Sequence, residues 1–414
     1  MTKIHHVHLY GDRAAKYDWL LENNIFSTDW LELQPKSPFY LLVPQDMNLW
    51  DEYKQQWKIT DIMPVNSVGI VTARDKLTIC WAREEIWDKV QEFISLEPEV
   101  ARERFNLGED ARDWKIDFAQ SDLIKTGPSE SNLSQVYYRP FDVRHTYYTG
   151  NSRGFHCMPR GDVMKHIISG NNLAFHVCRQ ISIEYWAHIL VSNLITDDCY
   201  VSNKTSERGY TIPLFLNPNF GVEEAINVNP IANFSTPFLK MLEARLGKLP
   251  EAESIFAYIY AILNSPTYRT RYIEFLKIDF PKIPFTSSSS LFKKIAGYGS
   301  QLIDLHLLRE QTLDVSAIPF QQNGDRTVDP GHPKYANGKV TINKRGAGFT
   351  GIPQEVWEFY IGGYQVCHKW LKDRKGRTLS DDDILHYQKI IVALQETIRI
   401  MQQIDDAIPS WPIE

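Results

Sequence analysis

Two stretches of the sequence combine cationic side chains with aromatic rings. Residues 339–377 carry eight lysines and arginines against three acidic residues, and residues 137–179 carry six against two. Arginine can hold a phosphate or a guanine edge through two parallel hydrogen bonds, so both stretches predict local nucleic-acid-binding patches. The candidate contacts are Arg139, Arg144, Arg153, Arg160, Arg179, Lys344, Arg345, Lys369, Lys372, Arg374, Lys375 and Arg377.

Composition limits what these patches can mean. The 414-residue chain has 45 lysines and arginines against 51 aspartates and glutamates, a net charge of −6. This balance excludes a uniformly basic protein that coats nucleic acid by charge alone. Composition by itself favours equally a second interpretation, in which both stretches are solvated faces whose arginine stems pack on rings.

No catalytic motif accompanies the patches. The sequence contains no phosphate-binding loop, no Gly-x-Gly-x-x-Gly after a strand, no Gly-x-Ser-x-Gly and no His-Glu-x-x-His. Residues 346–351 come nearest to a phosphate loop, but no helix pattern begins there, which favours a plain connection between strands. We therefore predict no catalytic, cofactor or metal site in this chain.

Cysteine use and hydropathy indicate the compartment. The five cysteines form no Cys-x-x-Cys pair, which argues against a disulfide framework and a zinc ribbon. The longest apolar stretch, residues 255–263, is far shorter than the roughly 20 residues of a membrane span. The first residues contain no apolar signal core. These features predict a cytoplasmic protein of several domains with no membrane partner.

Helical and extended patterns alternate over the first third of the chain. Ala14, Tyr17 and Leu21 share one face of the first predicted helix, and β-branched runs predict a hairpin further on. The predicted elements are a helix at 12–21, a strand at 39–43, a hairpin over 68–72 and 77–80, and helices at 84–96 and 98–105. Residues 127–132 predict the first linker.

Later segments change from β-rich to helical. Short β-rich segments fill residues 136–230, with strands expected at 135–138, 173–177 and 210–216. An apolar run at 256–263 predicts a buried helix, and Ser265 with Pro266 predicts the start of the next one.

The last part of the chain contains a second break and a long helix. Four serines at 287–290 predict a flexible break, followed by a helix over 291–313. Ser380 and Asp383 form a capping box for a long C-terminal helix. The predicted fold class is α+β, with β-rich lobes joined by a helical spacer. The predicted parts are 1–126, a β-rich recognition lobe at 127–235, a helical spacer at 236–313, and a basic β lobe with the long helix at 314–414.

Several longer motifs carry a family resemblance. They lie at residues 69–75, 138–144, 258–269, 271–281 and 362–374. Together they resemble the C-terminal target-recognition (specificity) region of type ISP and type IIG-like restriction-modification enzymes, which contain an N6-adenine DNA methyltransferase. The resemblance implies a phage-defence function in which this region reads a short duplex DNA sequence, and it makes residues 1–126 a coupler that follows a methyltransferase core.

The chain also departs from the full-length family pattern. Residues 217–220 are not the methyltransferase catalytic motif, and no S-adenosylmethionine loop or helicase motif is present. No activity is therefore expected from the chain alone. S-adenosylmethionine, ATP and Mg²⁺ are expected only in a partner chain or in upstream domains that contain the methyltransferase, helicase and nuclease.

Three hypotheses remain at this point. The first is a DNA-binding specificity module whose ligand is double-stranded DNA. The second is the DNA-interacting half of a split N6-adenine methyltransferase, which needs a partner chain for catalysis. The third is a degenerate protein that contacts other defence subunits and shows no salt-dependent DNA binding. For Arg269 and Arg271 the predicted role is structural, because they flank the packed Tyr268 and Tyr272.

Overall fold

The structure of the chain, a computed structural model, describes residues 3–37, 40–44, 46–204, 206–217, 230–309 and 313–414. The chain separates into two units, Met1–Asp51 and Glu52–Glu414. No helix within the described ranges is long and apolar enough to cross a membrane.

The first unit contains one helix and a two-stranded sheet. Its elements are β1 (Ile4–His6), α1 (Arg13–Glu22) and β2 (Leu31–Leu33), and the two strands pair antiparallel. The predicted helix is confirmed, since the Asp12 carboxylate accepts a hydrogen bond from the Ala15 amide and caps it. Its predicted apolar face is exposed, and none of its residues is buried. For the predicted strand at 39–43, residue 39 lies outside the described residues, and 40–43 form no strand.

The remaining helices range from four to 27 residues in length, and four of them have 13 residues or more. They are α2 (Trp50–Tyr53), α3 (Ile59–Ile62), α4 (Asp75–Thr78), α5 (Arg83–Ser95), α6 (Pro98–Phe105), α7 (Ile116–Thr126), α8 (Gly161–Met164), α9 (Thr236–Leu246), α10 (Ala252–Asn264), α11 (Pro266–Arg271), α12 (Ile273–Leu276), α13 (Ser289–His306), α14 (Gln354–Trp357), α15 (Val366–Lys372) and α16 (Asp381–Ala407). The four long ones are α5, α10, α13 and α16.

The remaining strands form several small sheets. They are β3 (Trp57–Lys58), β4 (Ser67–Val68), β5 (Leu133–Arg139), β6 (Asp142–Tyr147), β7 (Ala174–Cys178), β8 (Ile189–Ser192), β9 (Ile195–Thr196), β10 (Gly209–Pro213), β11 (Phe215–Leu216), β12 (Ile231–Ala232), β13 (Lys282–Ile283), β14 (Phe320–Gln321), β15 (Lys334–Ala336), β16 (Lys339–Thr341), β17 (Gly348–Thr350), β18 (Tyr360–Ile361) and β19 (Tyr364–Gln365). The larger sheets have the orders β4-β10-β7-β8, β6-β5-β9 and β14-β17-β16-β15. The α+β fold class, with its small sheets and long final helix, is as predicted.

The hairpin predicted over 68–72 and 77–80 is wrong. Residues 75–78 form α4, and the β-branched residues around it make single bridges to distant segments instead of pairing with each other. Val71 bridges Met158, and Cys80 bridges His145. Asp75 at the start of α4 accepts hydrogen bonds from the Thr72 and Tyr138 hydroxyls, which fixes a helical turn where local β propensity favours extended chain.

The helical framework follows the sequence closely. All of α10 from Ile255 to Asn264 is buried, as its all-round apolar pattern predicts. It packs so tightly on α13 that a Cβ placed on Gly299 would lie 1.8 Å from the Ala257 carbonyl oxygen. Ser265 caps α11 by accepting a hydrogen bond from the Tyr268 amide, as predicted.

The predicted break at the four serines is wrong. Ser288 accepts a hydrogen bond from the Leu291 amide and caps α13, so the serines begin a helix. This helix ends at His306, short of the predicted residue 313. The capping box of Ser380 and Asp383 at the start of α16 is confirmed.

Candidate nucleic-acid interface

Three of the predicted contacts lie largely inside the protein: Arg144 and Arg374, which are buried, and Arg139, which is 11% exposed. Arg144 on β6 donates two hydrogen bonds from Nε and Nη2 to the Asp142 carboxylate, and Arg374 donates a third to it at 3.2 Å. Asp142 is 1% exposed, Arg144 7% and Arg374 5%. Burial alone would raise the pKa of Asp142, but the two guanidinium groups outweigh it and hold this pKa below its usual value. We call Asp142, Arg144 and Arg374 the Asp142 network.

Tryptophan rings enclose the network. The guanidinium carbon of Arg144 lies 3.2 Å from the centre of the Trp81 ring, and that of Arg374 lies 3.3 Å from the Trp370 ring. Arg377 stacks on the same Trp81 ring at 3.9 Å. Arg374 and Arg377 come from the basic stretch at residues 339–377, and Arg144 comes from the one at residues 137–179. The two stretches therefore meet in the folded protein, where Arg374 pairs with Asp142 and each stretch places an arginine on the Trp81 ring.

Arg139 is also committed internally. Its side chain is 11% exposed, and its Nη1 donates to the Asp197 carboxylate at 2.8 Å. The guanidinium stacks on the neighbouring Tyr138 ring at 3.8 Å. Arg139 thus ties β5 to the segment after β9.

Six of the predicted contacts are exposed: Arg153, Arg179, Lys344, Arg345, Lys372 and Lys375. Within the described part of the chain, the last four form no ion pair. Lys344 and Arg345 lie in the turn between β16 and β17. The buried Asn343 shapes this turn, because its side-chain oxygen accepts hydrogen bonds from the Arg345 and Ala347 amides.

Other predicted contacts interact with neighbouring side chains of the protein. Arg179 is 56% exposed and pairs with Asp279. Lys369 pairs with Asp373 within the same turn of chain. Arg160 is half-buried, with Nη2 3.2 Å from the Met158 sulfur.

Four arginines lie close to Asp113 or to the Cys157 thiol. Arg153 is 66% exposed and lies 3.6 Å from the Asp113 carboxylate, which also pairs with the 88% exposed Arg112. Burial raises the pKa of the nearby Cys157 thiol and Asp113 adds to this, while Arg160, Arg74 and Arg112 oppose it. We call Arg74, Arg112, Arg153 and Arg160 the arginine cluster. Sequence reasoning missed Arg74 and Arg112, although Arg74 lies in the motif at residues 69–75.

A buried carboxylate holds the loop that carries Arg153. Asp122 on α7 is 7% exposed and accepts hydrogen bonds from the Thr149 hydroxyl, the Asn151 side-chain amide and the Phe155 backbone amide, each at 2.8 Å. We call residues 149–155 the Asp122 loop. Its outer side faces a concavity of about 480 Å³, whose lining includes Lys125 and Arg153.

Arg269 and Arg271 have the structural role predicted for them. Arg271 donates from Nε and Nη2 to the Glu52 carboxylate at 2.9 and 2.7 Å. Arg269 donates to the Leu263 carbonyl and the Asn264 side-chain oxygen.

Among the described residues, one group of side chains brings three potential metal ligands together. Ligand atoms of Asp197, Asp198 and Cys199 lie within 4.8 Å of one another. Arg139 pairs with the first carboxylate and Arg208 with the second, so protein cations already neutralise the charge that would attract a metal. Of the segment compared with the methyltransferase catalytic motif, residues 218–220 lie outside the described residues.

Solved structures of longer chains share this fold. A nuclease-deletion mutant of the type ISP restriction-modification enzyme LlaGI, in complex with a DNA substrate mimic, is 19% identical with a TM-score of 0.69, covering 100% of this chain and 33% of that one. The DrdV–DNA complex is 18% identical with a TM-score of 0.71, covering 95% and 42%. The ATP-dependent type ISP enzyme LlaBIII bound to DNA is 16% identical with a TM-score of 0.69, covering 93% and 26%. The chain thus spans about a third of the length of the LlaGI chain.

No curated protein matches the sequence. A family model does: the type ISP C-terminal specificity domain matches residues 61–403. This match includes all of the predicted contacts, the Asp142 network and the arginine cluster. The chain therefore belongs to the type ISP C-terminal specificity domain family.

Proposed function

We propose that this chain binds double-stranded DNA and reads a short target sequence as the specificity module of a restriction-modification system. The observation that carries the proposal is the match to a specificity-domain model over residues 61–403. Three chains of similar fold, at 16–19% identity, were solved with DNA or a DNA mimic, which supports the same ligand here.

Side-chain exposure separates the cations into two sets with different roles. Exposed cations at Arg112, Arg153, Lys344, Arg345, Lys372 and Lys375 are available to phosphates and bases. The buried Arg139, Arg144 and Arg374 fix the relative position of the segments that carry them. On an acidic chain of net charge −6, binding then depends on these local clusters and weakens as salt rises.

Catalysis belongs, in this proposal, to other domains or to a partner chain. Related solved chains are two to four times longer than this one, given the 26–42% of their length that it covers. We place S-adenosylmethionine, ATP and Mg²⁺ in those other parts, together with methyl transfer, strand translocation and cleavage. With DNA as its ligand, the chain acts in the cytoplasm.

The decisive experiment selects bound duplexes from a random DNA library, using the full 414-residue chain at near-physiological salt. Recovery of one short motif is the expected result. Recovery of unenriched DNA would leave sequence reading to a partner, and no recovery would contradict the proposal in favour of a subunit-contact protein.

A pair of variants tests the C-terminal cations. Lys372→Ala with Lys375→Ala should reduce the slope of log affinity against log salt by about two, about one for each lost phosphate contact. Arg374 is left intact because it is buried in the Asp142 network. Lys293→Ala with Lys294→Ala, an equally exposed lysine pair on α13, is the matched control. Equal slopes for the two double variants would remove Lys372 and Lys375 from the interface.

A further inference from the structure

The Asp122 loop is fixed from inside the protein. Three groups of the loop donate hydrogen bonds to the Asp122 carboxylate: the Thr149 hydroxyl at its start, the Asn151 side-chain amide within it and the Phe155 backbone amide at its end. A carboxylate that accepts several hydrogen bonds while buried holds its donors strongly, because each lost bond would leave an unsatisfied charge. The backbone of this loop is therefore preorganised before any ligand arrives.

Arg153 occupies an unusual backbone conformation within this loop. Its φ is +57°, in the left-handed region that residues other than glycine rarely adopt. The conformation is stabilised by two backbone hydrogen bonds, from the Arg153 amide to the Cys157 carbonyl and from the Gly154 amide to the His156 carbonyl. Such conformations persist where surrounding contacts enforce them, and they cluster at ligand-binding sites.

Gly154 completes the loop by its lack of a side chain. A Cβ at this position would lie 2.2 Å from an Asp122 carboxylate oxygen. The loop thus lies directly on the carboxylate, which aims the adjacent side chain, Arg153, outward with two thirds of it exposed.

The surroundings of Arg153 match a base-reading side chain better than a general phosphate contact. Arg112, which is 88% exposed, and Lys125 in the lining of the concavity supply further cations that can neutralise phosphates. Phosphate contacts tolerate a mobile side chain, whereas bidentate contact with a base edge requires a fixed approach. The fixed backbone of the loop and the Asp113 carboxylate, 3.6 Å from the guanidinium, restrict the approach of Arg153 while two thirds of its side chain stays exposed.

We propose that the Asp122 loop is a base-reading element of this domain, in which Arg153 contacts the O6 and N7 edge of one guanine and Asp122 is the positioning residue. This assignment rests on the proposed function and deepens it. It predicts that the selected target contains a G·C pair whose recognition depends on Arg153.

The test compares Arg153→Lys with Arg153→Ala in the full chain. Binding is measured to the selected target, to targets with each base pair replaced in turn, and to random-sequence DNA. Lysine keeps the charge but loses the bidentate fork, so Arg153→Lys should bind the target about 5- to 150-fold more weakly and lose discrimination at one G·C position. Its affinity for random DNA and its salt dependence should remain those of the wild type.

Asp122→Asn tests the positioning role. We expect the same single position to lose discrimination while binding to random DNA is retained, a split that a general loss of folding would not produce. Arg104→Ala, which removes a comparably exposed arginine from its pair with Glu92, is the control and should change no base preference. If Asp122→Asn does not fold, Arg153→Lys alone decides the assignment.

Two outcomes would overturn the assignment. Wild-type discrimination at every position in Arg153→Lys, with a reduced salt slope in Arg153→Ala, would make Arg153 a phosphate contact. Absence of DNA binding by the wild-type chain would overturn the proposed function and, with it, this assignment. The first outcome overturns the assignment alone, because the wild-type chain then still binds DNA.

Discussion

Arg144 and Arg153 come from the same short basic stretch and have opposite environments. Arg144 lies on a strand, 7% exposed, and donates two hydrogen bonds to a buried aspartate. Arg153 lies in a loop and is 66% exposed, and the Asp113 carboxylate is 3.6 Å from its guanidinium. A buried arginine without its partner is an uncompensated charge, so Arg144 serves stability, and only Arg153 is free to meet a ligand.

An aspartate organises each region, and the two aspartates act differently. Asp142 accepts its hydrogen bonds from arginine side chains that come from both basic stretches, and it thereby joins two segments. Asp122 accepts its hydrogen bonds from one loop, and it thereby shapes a surface. A carboxylate can therefore join segments or present a loop, depending on whether its donors come from separate segments, as for Asp142, or from a single loop, as for Asp122.

The largest effect is expected from breaking the Asp142 network. Asp142→Asn removes the carboxylate paired with the buried Arg144 and leaves Arg374 with Asp383 as its counter-charge, and should lower the free energy of unfolding by about 3–5 kcal/mol in urea titrations. Arg83→Ala removes the exposed Arg83–Glu130 pair, whose side chains are 48% and 65% exposed, and should lower it by less than about 1 kcal/mol. Similar losses in both variants would show that burial of the network has no energetic consequence.

A smaller loss of stability is expected when acid protonates His156, which directly follows the Asp122 loop. Burial lowers the pKa of His156 to about 4, so between pH 6.5 and 4 the unfolded chain takes up a proton that the folded chain does not. The contribution of His156 to stability is thus complete above pH 6.5 and is lost as pH falls towards 4. At pH 4.5 the loss relative to pH 7 should be about 2–3 kcal/mol.

Urea unfolding at both pH values, with His156→Gln as the comparison, measures this contribution. The variant should lose less stability on acidification than the wild type by about that amount. His176 and His306 are also buried with lowered pKa values and contribute to both proteins alike. Identical pH dependence in the two proteins would contradict the assignment to His156.

The smallest effect is expected from crowding the Asp122 loop. A Cβ on Gly154 must displace the Asp122 carboxylate, so Gly154→Ala should destabilise the protein by about 1–3 kcal/mol and disturb the loop. A Cβ on Gly297 of α13 would meet nothing within 4 Å, and Gly297→Ala should stabilise the helix by about 0.5–1 kcal/mol. Opposite signs in urea titrations are the expected result, and two stabilising changes would contradict the close packing of the loop on Asp122.

Local signals in the sequence predicted local structure well. The caps at Ser265 and Ser380 and the all-round burial of α10 depend on residues within one or two helical turns, and each prediction is confirmed. The longer motifs also indicated the family correctly. The prediction for the serines before α13 was wrong because a run of serines is compatible with a loop and with a helix cap, and only the Leu291 amide on Ser288 decides between them.

Non-local pairing explains the other misses. The hairpin failed because Val71 and Cys80 find their strand partners at Met158 and His145, which no local pattern reveals. The DNA contacts of the predicted cations stay a prediction, while the fold sets how accessible each of them is. Arg74 and Arg112 escaped notice because they lie outside both basic stretches and come close to Cys157 and Arg153 only in the folded chain.

The α+β class, the main helices with their caps, the family and the two stretches rich in cations could all be predicted from the amino-acid sequence alone. Which of those cations are held in internal ion pairs, and which remain exposed to solvent, depends on how the chain folds. The physical reason is separation along the chain: Arg374 meets Asp142 across 232 positions, whereas a helix cap acts across three. Burial, and with it the difference between a structural and a binding arginine, depends on such distant contacts.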